Sequence, residues 1–135
     1  MCGSDECFGC IVAKSFLALA GLFAALAVLF GAFGAHGLKS RLSPDMLAVF
    51  QTAVQYHMWH ALGLGLVALA ALHWPQLNRL RWVGWLMIVG IILFSGSLYA
   101  LALTDIKMLG AITPFGGLAF IVAWTVFAIS IWKSN

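Results

Sequence analysis

The stretch from Met46 to Asn78, MLAVFQTAVQYHMWHALGLGLVALAALHWPQLN, runs for 33 residues without a formal charge. About 20 apolar residues in a helix cross about 30 Å of hydrocarbon, so this window alone is long enough to span a bilayer. Three further charge-free windows flank it: Ser15 to Leu38 (24 residues), Trp82 to Thr104 (23) and Met108 to Trp132 (25). The whole chain has 135 residues, 64% of them hydrophobic and 8% charged. An ordinary soluble domain carries roughly 25% charged residues. The windows are apolar all round rather than amphipathic, which argues against a soluble helical protein. The expected fold is therefore all-α, an integral membrane four-helix up-and-down bundle.

Residues 1–13 read as a Cys-containing N-terminal tail and 14–135 as one transmembrane domain, with helices over about 14–37, 44–72, 82–104 and 114–132. The first window is too long, and its start too acidic, for a cleaved signal peptide. Ser43-Pro44-Asp45 is a helix start in sequence: a hydroxyl N-cap, proline at the first helical position, and a carboxylate at the positive dipole end. Helix 2 then runs to about Leu72, before Trp74-Pro75, a length of roughly 43 Å at 1.5 Å per residue, which calls for tilt or projection beyond the bilayer. Helix 4 has two possible starts, Met108 or Thr113. Thr113-Pro114 repeats the cap logic of Ser43-Pro44 and is preferred, which leaves Ile106 to Ile112 as an apolar connection that needs protein cover at membrane depth.

The net charge of +3 is no nucleic-acid footprint, because the seven Lys and Arg are scattered singly or in pairs beside the apolar windows. With four spans, Lys14, Arg79, Arg81 and Lys133 share the side of the termini, against Lys39, Arg41 and Lys107 opposite; this balance puts the termini in the cytoplasm. Trp74, Trp82, Trp85 and Trp132 fall near that same side, where an aromatic belt would lie.

Up-and-down topology brings the end of helix 1, the start of helix 2, the end of helix 3 and the start of helix 4 toward one membrane face. The uncommon polar residues sit there: His36; Gln51, Gln55, Tyr56, His57 and His60; Ser95, Ser97, Tyr99 and Thr104; and Thr113. Polar side chains in hydrocarbon are costly without partners, so these are expected to point inward, toward one another or toward a bound guest. Tyr56 with His60 (i,i+4) and His57 with His60 (i,i+3) can share a helix face, with His60 the common member.

One reading is a hydrogen-bond network that only fixes packing. Three chemical readings compete with it. A metal or haem site would use His36, His57 and His60, although no Asp, Glu or Cys lies in the spans to complete it. A lipid, quinone or small-molecule pocket would use the polar groups in an apolar wall, with the helix 4 N-terminus and Gly116-Gly117 offering backbone N–H groups. Proton-coupled transport would use the histidines as a relay, but lacks any membrane carboxylate. In the tail, Cys2, Cys7 and Cys10 form C-x4-C-x2-C, a ferredoxin-like spacing that lacks its fourth cysteine. Metal capture, a redox CxxC and palmitoylation stand there beside a tail without chemistry. Neither a nucleophile-base-acid set nor a phosphate loop is present.

Four stretches together, GAFGAHGL (Gly31 to Leu38), QYHMWHALGL (Gln55 to Leu64), LFSGSLYALALT (Leu93 to Thr104) and LGAITPFGG (Leu109 to Gly117), resemble the small bacterial membrane proteins called YwdK-like or YgdD-like. These form domain-of-unknown-function family 423, similar to animal transmembrane protein 256. The resemblance covers about Ser15 to Trp132 and implies a four-helix protein of the bacterial inner membrane with no established activity. His36, His60, Tyr99, Thr113 and Pro114 match the family's motif positions. His57 fits the YwdK-like version, whereas YgdD-like members carry other residues there. The cysteine-rich start departs from the family, and no catalytic residue carries over.

The functional expectation is a non-enzymatic binding, accessory or assembly component surrounded by membrane lipid and held in a larger membrane complex or a homo-oligomer. The runner-up is a redox-active protein binding metal, haem or quinone, and the third a small oligomeric transporter. No cofactor is specified.

Overall fold

Ser43 and Pro44 open the helix around which the others assemble. Ser43 is extended (φ −61°, ψ 156°) and its hydroxyl accepts the Met46 N–H at 3.3 Å, with Pro44 in the first turn. Helix α2 (Pro44–His73) ends where Pro75 withdraws a donor and pushes Trp74 out of the helical region, the Trp74 N–H closing on the Ala70 carbonyl at 2.8 Å. The computed structural model describes residues 4–134, which contain helices and turns but no strand.

Helix α1 (Ser4–His36) begins well before Lys14, so the expected boundary after residue 13 is not a break in secondary structure. The missed signal is Ser4-Asp5-Glu6, a hydroxyl followed by two acids, which suits a helix N-terminus. The third rod, expected from 82, starts at Arg79 and consists of α3 (Arg79–Gly90), a π-helical turn (Ile91–Ser95) and α4 (Gly96–Thr104). It ends on Asp105 in the left-handed conformation (φ 56°), whose N–H bonds the Leu101 carbonyl at 2.8 Å. A 3-10 turn (Lys107–Ala111) leads to α5 (Thr113–Trp132).

Two expectations fail here. The Ile106–Ile112 connection is not covered by protein: Ile106, Met108 and Ile112 are exposed. It satisfies its backbone locally instead, Leu109 N–H to Ile106 at 3.0 Å and Ile112 N–H to Leu109 at 3.2 Å. Thr113 is not an N-cap either; Ile112 holds that position without a side-chain bond, and the Thr113 hydroxyl is used across the fold.

Cross-helix contacts fix the relative directions. Gly31 faces Val54 while Gly34 faces Phe50, so α1 and α2 are antiparallel. Phe50 meets Tyr99 while Tyr56 meets Phe94, so α2 and the third rod are antiparallel as well. Gly116 meets Phe94 and Phe120 meets Gly90, which reverses α5 again. All four rods contribute to the main core, among them Phe16, Leu64, Val67, Leu80, Met87, Phe120 and Ala123.

Large apolar side chains point outward along the rods, for example Leu29, Leu62, Ile92, Leu118 and Ile121. Three segments are long and apolar enough to cross a membrane: Gly9–His36, Arg79–Thr104 and Lys107–Trp132. Helix α2 is long enough but less apolar, because it carries Gln51, Gln55, Tyr56, His57 and His60.

Candidate functional site

The site is built where the third rod widens. Between Ile91 and Ser95 the helix takes one π turn, closed by the Gly96 N–H on the Ile91 carbonyl. Such a turn frees backbone groups and re-aims side chains, and π turns recur at functional sites. Two neighbours hold it. Ser95, 1% exposed, donates its hydroxyl to the Ala53 carbonyl of α2 at 2.9 Å. On the other side Gly116 of α5 lies against the Phe94 backbone so closely that a Cβ there would collide with the Phe94 nitrogen and stand 2.7 Å from its Cα.

Phe94 is the hub of this region, and the sequence reading did not name it. Its carbonyl accepts the Ser97 hydroxyl at 3.0 Å. Since Ser97 has one proton to give, the Thr113 hydroxyl 2.8 Å away is the donor to Ser97, completing a chain Thr113 to Ser97 to Phe94. The Phe94 ring packs on Tyr56 (centroids 4.5 Å apart) and Phe120 (5.7 Å).

The two central histidines serve different neighbours. His60 donates Nδ1–H to the Tyr56 carbonyl at 2.7 Å; a carbonyl only accepts, so the proton is on Nδ1. Its ring stacks on Phe120 at 3.4 Å and 12°, in room made by Gly90, where a Cβ would strike the Phe120 ring. His57 faces α1 and α4: Phe23 and Phe30 lie 5.9 and 6.2 Å from its ring, and Nδ1 is 3.1 Å from the Tyr99 hydroxyl. His57 is 4% exposed, yet its Nε2 is buried with no hydrogen-bond partner.

The fold thus gathers Tyr56, His57, His60, Ser95, Ser97, Tyr99, Thr113 and Gly116 inside, as separate small sets rather than one network. Gly116 is committed to packing on Phe94; a Cβ added at Gly117 would meet the Phe94 ring at 3.7 Å, an ordinary contact. Gln51 and Gln55 are exposed on the outer side of α2, and His36 is exposed in the last turn of α1, so these three do not join the cluster. Thr104 is exposed too and bonds the Ala100 carbonyl of its own helix at 2.6 Å. Helix spacing places the glutamines correctly in sequence but leaves their facing open, and His36 stands too far out along α1.

For metal chemistry, no three His, Cys, Asp or Glu side chains among the described residues stand close enough to hold an ion. Cys2 lies outside the described residues, as does the Cys7 side chain; Cys10 is a half-buried free thiol. What the arrangement offers chemically is one buried imidazole nitrogen beside aromatic rings.

The sequence matches the model of a family described as protein of unknown function (DUF423) over residues 30–117. It is 50% identical over 120 residues to the UPF0382 membrane protein YwdK of Bacillus subtilis, covering 89% of this chain and 98% of that one. UPF0382 membrane proteins of Staphylococcus saprophyticus and Staphylococcus haemolyticus are 49% and 47% identical over the same share of this chain and over 98% and 97% of their own lengths. No solved structure matches the chain.

Proposed function

Because the chain belongs to the DUF423 family of unknown function, whose relatives here bear the name membrane protein, we propose that it is a four-helix integral membrane protein acting as a non-enzymatic binding or accessory component. All four rods cross the bilayer of the bacterial inner membrane with both termini in the cytoplasm. Helix α2 crosses despite its polar residues because Tyr56, His57 and His60 are turned into the protein and its outer face carries Leu62, Leu66 and Leu69. Lys107 places the exposed Ile106–Ile112 connection outside the hydrocarbon.

The observation that carries the non-enzymatic reading is the pairing of the interior polar groups. Ser95 is spent on a helix carbonyl, Ser97 and Thr113 on each other and on Phe94, and His60 on its own helix. Groups committed to fixing helices are poor nucleophiles and proton carriers, because using them would break the packing they hold. Binding remains, through the outer apolar faces toward lipid or another membrane subunit, and through His57.

The test is native mass spectrometry with metal analysis on protein extracted in mild detergent from its own membrane. A retained lipid, small molecule or partner subunit is expected. A bare, monodisperse chain recovered in full would contradict the binding reading.

A further inference from the structure

The outer side of α2 carries an amide where lipid would lie. Gln55 is exposed, and among the described residues nothing hydrogen-bonds its side chain. Its depth follows from its neighbours. Ala53, two residues away, accepts the Ser95 hydroxyl, and Ser95 lies ten residues from Asp105 and sixteen from Arg79. At 1.5 Å per residue these are about 15 and 24 Å, so with four spans Gln55 stands inside the hydrocarbon rather than at its edge. A polar side chain facing lipid there is costly, and such groups ordinarily pair across helices. Thr52, also exposed, settles its hydroxyl on the Ala48 carbonyl of its own helix at 3.0 Å, whereas Gln55 has no such outlet. Gln51 is exposed on the same side, one turn nearer the N-terminal end of α2.

Gln55 heads a continuous stripe. Trp59, Leu62, Leu66 and Leu69 follow it at steps of four, three, four and three residues, and all four are exposed. Alternating steps of three and four are the spacing of a helix seam that packs on a second helix. Beside the leucines, Ala20, Gly21 and Ala24 of α1 and Gly65 of α2 line an open groove. A Cβ on Gly21 would meet nothing within 4 Å, so the side chains of an approaching helix have room there.

We propose that this stripe is the contact between two copies of the chain, related by a two-fold axis along the membrane normal, with Gln55 hydrogen-bonded to the same residue of the second copy. Two features choose a second copy over a different protein. All copies insert with one topology, so equivalent residues stand at equal depth, and a two-fold contact sets residues near the axis against their counterparts. A side-chain amide both donates and accepts, so two glutamines facing across the axis satisfy each other, which two carboxylates or two ammonium groups could not do. The leucines supply packing area, and the amide fixes which faces meet and in what register. The proposal names the partner in the binding reading above and rests on it.

The test uses the full chain with Cys2, Cys7 and Cys10 replaced by serine. Oxidation of Leu62→Cys in native membranes should give a disulfide-linked species of twice the chain mass, while Leu118→Cys, comparably exposed on α5, should stay single. In liposomes, energy transfer between chains labelled at the C-terminus with donor or acceptor should follow a monomer–dimer equilibrium. Its dissociation constant should rise about tenfold in Gln55→Leu, the scale of the interhelical hydrogen bonds lost, and stay near the starting value in Gln55→Asn, which keeps an amide. Because Gln55 lies on the outside of α2, neither substitution disturbs the core. Absence of energy transfer, equal linking at positions 62 and 118, or an unchanged dissociation constant in Gln55→Leu would overturn the proposal, as would linking of Leu62→Cys to a chain of different mass. A monomer that still retains a lipid or a foreign subunit on gentle extraction would sink this proposal alone, so its failure is distinguishable from that of the binding reading.

Discussion

Gly116 and Phe94 are in backbone contact: a Cβ on Gly116 would lie against the Phe94 nitrogen and 2.7 Å from its Cα, inside the π turn of the third rod. Backbone cannot step aside as a side-chain tip can, so Gly116→Ala must separate α5 from the third rod. Overpacking of this kind costs about 1–3 kcal/mol, more than alanine's gain of about 1 kcal/mol in helix propensity. Gly117→Ala, whose Cβ would meet the Phe94 ring at an ordinary 3.7 Å, should be neutral or stabilising. Unfolding midpoints in a mixed-micelle titration with sodium dodecyl sulfate should fall for the first variant alone.

Ser97 and Thr113 tie α4 to α5 through hydroxyls 2.8 Å apart. A double-mutant cycle of Ser97→Ala and Thr113→Val should return a coupling of about 0.6–1.7 kcal/mol, the range of interhelical hydrogen bonds in membranes. A coupling of zero would mean that the two hydroxyls bond elsewhere.

His60 contributes by shape more than by polarity. Its ring lies flat on Phe120 at 3.4 Å, while its hydrogen bond is to a carbonyl of its own helix. His60→Ala should therefore leave a cavity costing about 2–4 kcal/mol, and His60→Phe, which keeps the stack, about 1 kcal/mol or less. The same unfolding titration distinguishes them; equal losses would assign His60 a polar role that the geometry does not suggest.

Asp105 ends the third rod at φ 56°, a conformation costly for a residue with a Cβ. Asp105→Gly should raise stability by up to about 1 kcal/mol, and the β-branched Asp105→Val should lower it by about 1–2 kcal/mol. Thermal unfolding monitored by far-ultraviolet circular dichroism checks both.

The helices were legible in the sequence because hydrophobic run length and charge placement are one-dimensional signals. Ser43-Pro44 gave the start of α2, and Trp74-Pro75 its end. Thr113-Pro114 likewise placed the start of α5, but not its cap, because the Ser97 hydroxyl on a neighbouring helix competes for Thr113, and nothing local records that. The facing of Gln55 and His36 was lost for a related reason: helical spacing tells which residues share a face, not which face turns inward. The π turn at Ile91–Ser95 was invisible, since it is stabilised by Ala53 and Gly116 from other rods. Phe30, Phe94 and Phe120, three ordinary phenylalanines in sequence, became the walls of the site only once four rods were packed.

The central claim is that α2 crosses the membrane along with its three more apolar neighbours, and it is tested most directly at the two ends of that helix. Ser43 and Gln76 are both exposed, one at each end of α2. In a background with Cys2, Cys7 and Cys10 replaced by serine, Ser43→Cys and Gln76→Cys would be labelled in intact cells with a membrane-impermeant maleimide. Labelling at position 43 and protection at 76 until the cells are lysed is the expected result. Equal labelling or equal protection at the two positions would place both ends of α2 on one side, leaving three spans and contradicting the account.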